Sequence, residues 1–574
     1  MKEFLKNLKF TWSYAKNQKS RLIKYIICQI LMIIVWIVIP ILTANIIVSL
    51  TSNEFNQLIL TALTIFVVEN THNIINYFSR KYSFIIYRDS FTKLEIQLGK
   101  EILKIENKVM DENGSGVFIQ RLSNDTSRLS DIFNVLANHI SSLITDIGVF
   151  VAIFIINKIV FAYLIIVNII LYIIENKRTK RYNENDKINR KKTEQITGFI
   201  GEMVKGQRDI KMLNSEESFI DELSNKLVDA NDAKYNMQRV DIRFKLLRGT
   251  VMDINSLLII VLLVVLIKYN ALPIASALII HNYSRGVSYM INDIGLLLEK
   301  IKDFNLSSTR IFDILHSEEF KKEKFGKKHL AKVEGNFEFK NVEFGYENNK
   351  VLKDVNFKIR ANETVAFVGK SGAGKSTIFS LLCKMYDINS GSITIDGVDI
   401  RELDKESIRG NITIISQNPY IFNLSIKENL KLVKKDLTEE EMINACKIAC
   451  LHEFIIGLPN QYDTIVGEGG VNLSGGQKQR LAIARALIQK TEIILFDEAT
   501  SALDNETQTE IQKAINNMKG EYTMLIIAHR LSTIINSDRI ILLDDGKIIA
   551  EGSHKELLEK CDKYKHLYES EIRK

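Results

Sequence analysis

The 574-residue chain is poor in the residues that build specialised scaffolds. It has five cysteines, too few for a disulfide framework at this length. Four prolines and 28 glycines exclude collagen-like and proline-rich linker architectures. No charge sign dominates: 76 Lys and Arg stand against 69 Asp and Glu, a formal net charge of +7. So small an excess on so long a chain gives no reason to expect a nucleic-acid partner. Disorder is excluded in turn, because hydrophobic residues make up 46% of the chain. A domain size of about 150 residues suggests roughly four domain-sized units. The mean hydropathy of +0.00 looks like that of an ordinary soluble protein, but the average conceals two unlike halves.

Long apolar runs fill the first half. Ile26–Leu50 carries no charge at all, and roughly 20 such residues cross a bilayer as a helix. Further runs lie at 58–68, 147–156, 159–174, 257–267 and 271–280. Extended through their flanks, they give about six spans, near 25–50, 57–80, 132–156, 159–176, 248–267 and 271–297. Basic residues mark one side of these spans. Lys2, Lys6, Lys9, Lys16, Lys19, Arg21 and Lys24 precede the first, Lys177, Arg178, Lys180 and Arg181 follow the fourth, and the loop 51–56 has neither Lys nor Arg. The positive-inside rule then places both termini in the cytosol. The first run is too long for a signal peptide and lacks a cleavage site. Two charged stretches without proline, 81–131 and 177–247, read as cytosolic helical extensions of the spans. Each needs a turn near its middle, for which Asn113-Gly114-Ser115-Gly116 is a strong signal and Gly206-Gln207 a weaker one.

Beyond about residue 330, short apolar strands alternate with amphipathic helices, the pattern of an α/β domain. The strand Thr364–Val368 runs into Gly369-Lys370-Ser371-Gly372-Ala373-Gly374-Lys375-Ser376-Thr377, and a helical pattern follows. This is a P-loop in its required strand–loop–helix setting. Its glycines let backbone N–H groups turn toward phosphate oxygens, Lys375 supplies a point charge, and Ser376 offers a hydroxyl to Mg²⁺. A second buried strand, Ile493–Phe496, ends in Asp497 and Glu498. Asp497 stands where a carboxylate holds Mg²⁺, and Glu498 where a general base polarises water. A further Gly-rich turn, Leu473-Ser474-Gly475-Gly476-Gln477, opens another helix and so makes a second anion-binding N-terminus. One nucleotide needs one cradle, so the second points to a nucleotide held across an interface. Cys446 and Cys450, one helical turn apart, read as core residues and not as metal ligands.

Together these residues resemble an ATP-binding cassette (ABC) transporter, specifically an exporter-type half-transporter. Leu473–Gln477 is similar to the ABC signature, Ser501-Ala502-Leu503-Asp504 to the D-loop, Gln417 to the Q-loop glutamine, His529 to the switch histidine and Tyr346 to the aromatic A-loop residue. The resemblance implies that Tyr346 stacks on adenine and that Gln417 contacts Mg²⁺ and the attacking water. It implies that His529 holds the γ-phosphate and positions Glu498. Ser474, Gly475, Gly476 and Gln477 would face ATP on the P-loop of a partner chain, and Asp504 would link the two sites. Met110-Asp111-Glu112-Asn113-Gly114, with Arg121–Asp125, resembles the first cytosolic loop of such exporters, and Glu202, Gly206, Ile210-Lys211 and Glu216 the second. The turns of those loops form coupling helices in the family.

The expected architecture is a membrane α-helical bundle with long cytosolic extensions over 1–320, a basic elbow at 1–24, a linker at 321–332 and an α/β P-loop ATPase domain with a helical subdomain over 333–574. Implied ligands are ATP and Mg²⁺. Implied partners are the bilayer and a second half-transporter, with a second copy of this chain favoured over a different one. The implied function is ATP-driven export of a lipid, peptide or hydrophobic small molecule across the plasma (inner) membrane. An importer on the same fold and a membrane sensor ATPase are the alternatives. Polar residues within the spans, among them Glu69, His72, Asn73, His139, Asp146, His281, Asn282 and Arg285, either line a cavity or join helices.

Overall fold

The computed structural model describes residues 2–316, 318–346, 349–416, 419–467, 470–497, 505–527 and 535–572. The chain divides into two compact units, Met1–Leu103 with Gly114–Phe320, and Lys104–Asn113 with Lys321–Lys574.

The first unit is helical. Its helices are α1 (Lys2–Ala15), α2 (Lys19–Thr51) and α3 (Phe55–Ile102). After α4 (Asn107–Asn113), which belongs to the second unit, come α5 (Ser115–Gln120), a π-helical turn at Arg121–Asp125 and α6 (Thr126–Ile156). The unit continues with α7 (Lys158–Lys205), α8 (Gln207–Met212), α9 (Glu216–Lys268) and α10 (Ile274–His316). Among the described residues, five helical stretches are long and apolar enough to cross a bilayer: Lys2–Thr51, Phe55–Ile102, Gly116–Ile156, Lys158–Lys205 and Glu216–Lys268. The sixth expected span falls within α10, a continuous helix whose apolar stretch carries His281, Asn282 and Arg285. Leu60, Phe66, Val67 and Ile155 are each more than half exposed, which in water would be costly and in lipid is favourable.

Polar side chains tie the helices where lipid offers no hydrophobic drive. Gln29 on α2 donates to Ser79 on α3 at 3.3 Å and to Asn138 on α6 at 3.0 Å, and the Tyr25 hydroxyl donates to Asn138 at 3.1 Å. Of the polar residues expected in the spans, Glu69 and Asn73 are exposed, His72 packs edge-on to Trp36 at 6.0 Å, and Asp146 is buried. Asparagine closes several helices. Asn53, Asn214 and Asn270 have φ of 58°, 49° and 56°, the left-handed cap that ends a helix without glycine. Asn157 starts α7 by accepting from the N–H groups of Ile159 and Val160.

Both charged stretches, 81–131 and 177–247, are helical extensions, as expected, but each reverses through two breaks around a short helix. Gly114, at φ 70°, makes the second break of the first loop. The first break, at 103–106, has no glycine or proline. It forms because the chain there pairs with a distant segment: Glu106 N–H donates to Lys321 O at 2.9 Å and Glu323 N–H to Lys104 O at 2.8 Å. In the second loop α7 ends at Lys205, with Gly206 as cap, and α8 follows.

The second unit is α/β. An antiparallel sheet in the order β2–β1–β4–β5 is formed by β1 (Phe337–Tyr346), β2 (Asn349–Ile359), β4 (Ser390–Ile395) and β5 (Val398–Asp399). The strand β3 (Thr364–Val368) lies instead at the centre of a six-stranded sheet, β12–β11–β3–β10–β9–β6. The other members are β6 (Ile412–Ile415), β9 (Ile493–Asp497), β10 (Thr523–Ile527), β11 (Arg539–Asp544) and the antiparallel edge strand β12 (Lys547–Gly552). A two-stranded ribbon pairs β7 (Leu424–Ser425) with β8 (Ile465–Val466). All five residues of β3 are buried, as expected of a central parallel strand. Phe339, Phe357, Phe367 and Phe379 pack in series between the sheets and α11 (Lys375–Leu382). After α12 (Lys405–Arg409), the helical subdomain comprises α13 (Ile426–Lys431), α14 (Glu439–Ile448), α15 (His452–Ile456) and α16 (Gly475–Gln489). Cys446 is fully buried in its core, in keeping with a packing role.

Candidate nucleotide site

The site is built where β3 hands the chain to α11. The loop between them turns on Gly372 and Gly374, at φ 81° and 100°, which side chains with a Cβ rarely adopt. At Gly374 a Cβ would also lie 2.6 Å from Leu352 Cδ2, and at Gly369 one would lie 2.2 Å from Leu543 O. Neighbouring strands therefore clasp the loop closely. The first-turn N–H groups of α11 have no intrahelical acceptor, and they form the positive end of the helix dipole. Lys375 is buried, and its Nζ donates to Gly369 O at 2.8 Å and Lys370 O at 3.0 Å, which holds the ammonium inside the loop. The result is an anion cradle of backbone donors with one fixed cation.

Asp497, the last residue of β9, is brought to this cradle. Ser376 Oγ donates to Asp497 Oδ1 at 2.9 Å. A hydroxyl and a carboxylate beside a phosphate cradle supply the hard oxygen donors that Mg²⁺ prefers, so the residues present fit that ion. Among the described residues no group of three or more His, Cys, Asp and Glu is arranged to hold a metal.

Tyr346 ends β1 and is 40% exposed. Tyr346 pairs with Asn349 across the hairpin, and two residues earlier Phe344 pairs with Leu352, the residue against Gly374. Ser474 caps α16, accepting from Gln477 N–H at 3.3 Å, while its own N–H donates to the Gln477 side chain at 2.8 Å. This capping box fixes the signature turn. Ser474 and Gly475 are exposed, and Gly476 is buried. Gln417, Glu498, Asp504 and His529 lie outside the described residues.

Sequence reasoning passed over two features. Tyr386, four residues past the end of α11, meets Tyr346 edge-on at 5.2 Å and donates its hydroxyl to Asp111 of α4 at 2.9 Å. Burial, with Asp111 behind it, pushes the Tyr386 hydroxyl up to about 12. The linker is also not loose: Glu323 forms a two-pronged pair with Arg409 at 2.8 and 2.7 Å. A charged, glycine-containing stretch gave no sign of this.

Residues 352–501 match the ABC transporter family, and residues 22–289 match the ABC transporter transmembrane region. An ATP-dependent lipid A-core flippase of Wigglesworthia glossinidia brevipalpis is 32% identical over 493 residues, covering 83% of this chain and 82% of the flippase. The chain is an ABC transporter of the exporter type. A putative multidrug export ATP-binding/permease protein, YgaD of Bacillus subtilis, is 43% identical to this ABC chain over 264 residues, 46% of each. The ABC exporter fold is shared with a bacterial Atm1-family ABC exporter solved with ATP bound, at a TM-score of 0.84 and 23% identity, over 96% of this chain and 99% of that one.

Proposed function

We propose that this ABC chain is one half of an ATP-driven exporter of a lipid or other hydrophobic compound, working as a dimer in the plasma membrane with both termini cytosolic. The observation that carries this reading is the meeting of Ser376 with Asp497 beside the buried Lys375, which assembles the phosphate and Mg²⁺ donors of an ATPase on a chain with bilayer-length apolar helices.

In this reading the loop N–H groups and Lys375 hold the β- and γ-phosphates, and Tyr346 stacks on adenine. Ser376, Asp497 and Gln417 hold Mg²⁺, which neutralises charge on the phosphate oxygens. Glu498 accepts the proton of the attacking water, oriented by His529. One chain carries one P-loop and one signature, so Ser474–Gln477 of one copy completes the site of the other, with Asp504 between the two sites. A sixth crossing by α10 makes each copy a six-span subunit. ATP favours the closed pair of ATPase units because it binds both faces only in that state.

Inside-out vesicles containing the reconstituted chain test this directly. ATP-dependent accumulation of a fluorescent phospholipid or a hydrophobic dye is the expected result. Accumulation only in right-side-out vesicles supplied with internal ATP would mean import, and intact hydrolysis without flux in either would mean a sensor.

A further inference from the structure

Helices α6, α7 and α10 border a cavity of about 670 Å³ in the first unit, the size of a small-molecule site. Phe150 and Phe154 of α6 meet Phe161 of α7 at 5.7 and 5.0 Å on its wall. The lining is apolar apart from Asn168 and the Tyr172 hydroxyl. Asn168 is only 6% exposed. Its Nδ2 donates to Leu164 O at 2.9 Å, and its Oδ1 receives no hydrogen bond.

A second buried acceptor lies beside the cavity. Asp146 directly precedes the lining residue Ile147 and is one turn from Phe150. It is 8% exposed, and its Oδ2 likewise has no donor. Only Asn157 separates α6 from α7, and the two helices run in opposite directions. From the Phe161 contact, Asn168 is seven residues along α7 and Asp146 four to eight residues back along α6. At 1.5 Å per residue both distances are about 10 Å, so the two acceptors stand at one depth. Asp293 of α10, three residues past the lining residue Met290, accepts from Ser142 Oγ at 2.5 Å. Ser142 is one turn before Asp146, on the same face of α6. Among the described residues neither Asp146 nor Asp293 has a Lys, Arg or His partner. Glu175 of α7 and Asp241 of α9, by contrast, are both paired with Arg178, at 2.6 and 2.7 Å. Burying acceptors without donors is costly, and an unpaired carboxylate at membrane depth most of all.

We infer that Asp146 and Asn168 are specificity-determining residues of this cavity, and that its cargo is a hydrophobic amine bound as the ammonium. The ammonium donates to Asp146 Oδ2 and Asn168 Oδ1, while the hydrocarbon or aromatic body fills the apolar lining. A neutral amide or alcohol satisfies Asn168 but leaves the Asp146 charge unmatched. An anionic headgroup meets both Asp146 and Asp293 and is repelled. The inference rests on the chain being the exporter proposed above, and narrows its cargo.

Two probes test it: a dansylated long-chain alkyl diamine, which keeps one free ammonium, and its N-acetyl derivative, which is neutral. Binding of each to the full chain in lipid nanodiscs, without nucleotide, is measured against empty nanodiscs. The chain is expected to bind the ammonium probe about ten-fold or more tightly than the neutral one, the worth of a hydrogen-bonded charge. Asp146→Asn should abolish that preference while its affinity for the neutral probe, which reports an intact cavity, holds. Asp146→Glu restores the charge and should retain most of the preference. Equal affinity for the two probes in the parent overturns the inference, as does an undiminished preference in Asp146→Asn. ATP-dependent accumulation in inside-out vesicles separates this from the reading beneath it. Accumulation of a neutral hydrophobic dye, with equal binding of the two probes, overturns the inference alone. Preferential binding of the ammonium probe without accumulation of either probe or dye overturns the exporter reading, and the amine is then a ligand and not a cargo.

Discussion

Ser376 Oγ and Asp497 Oδ1 lie 2.9 Å apart, although 121 positions separate them in sequence. The contact closes the P-loop against the end of β9 and places the hydroxyl and the carboxylate on one side of the phosphate cradle. Glu498 is the next residue in the sequence.

If Glu498 is the general base, Glu498→Gln should bind ATP but hydrolyse it at least about 100-fold more slowly, the usual contribution of a positioned base. The trapped state should be visible as ATP that stays bound to the variant through rapid desalting. Undiminished turnover would remove Glu498 from this role. Lys375→Ala should lose ATP binding itself, because it deletes the cradle's fixed cation.

Gly374→Ala tests the loop. The residue sits at φ 100°, and the new methyl would lie 2.6 Å from Leu352 Cδ2. A left-handed non-glycine residue costs about 1–3 kcal/mol, and here the strain falls on the cradle. Equilibrium binding of a fluorescent ATP analogue should weaken by ten-fold or more, about 1.4 kcal/mol for each decade. Wild-type affinity in this variant would show that the loop relaxes freely.

The P-loop, β9 and the signature were legible because each combines a short apolar strand with a fixed pattern of glycines and charges. The spans were legible because length and apolarity alone determine them. What escaped reading depended on partners far away in sequence. The break at 103–106 has no local turn residue and exists because Lys321–Glu323 pairs with it. Tyr386 sits among polar residues that suggest a loop, and its meaning comes from Asp111, 275 positions earlier. Local pattern cannot announce such contacts, since either residue alone is unremarkable.

Asp404 caps α12, accepting from the Ser407 N–H at 2.8 Å. The Ser407 hydroxyl and N–H, with His329 alongside, hold its carboxyl down to about 2, against an ordinary value of 3.8. A depressed folded-state value means that the cap's stabilisation is complete above about pH 4 and is lost as the pH falls toward about 2. Melting temperatures of the detergent-solubilised chain and of Asp404→Asn should therefore differ by a constant amount above pH 4 and converge below it. A gap that widens on acidification would contradict this account of the cap.

Arg409, the last residue of α12, anchors the linker. Its guanidinium makes both prongs to Glu323, donates through Nε to Cys383 O at 3.0 Å, and lies 5.1 Å from the Phe325 ring. The pair is mostly shielded, with the two side chains 20% and 11% exposed. Arg409→Ala would strand the Glu323 carboxylate and the Cys383 carbonyl together. Removing one partner of a fully buried pair costs about 3–5 kcal/mol, and the residual exposure here lowers that to about 2–3 kcal/mol. Arg409→Lys keeps the charge but not the fork, so it should recover only part of the loss. Glu323→Gln removes the ion pair while leaving an acceptor, and should cost less than Arg409→Ala. Thermal unfolding of the three variants, followed by the release of buried Cys383 to a thiol reagent, orders them. Arg409→Ala melting no lower than Glu323→Gln would show that the pair with the linker, and not the carbonyl contact of Arg409, carries the whole effect.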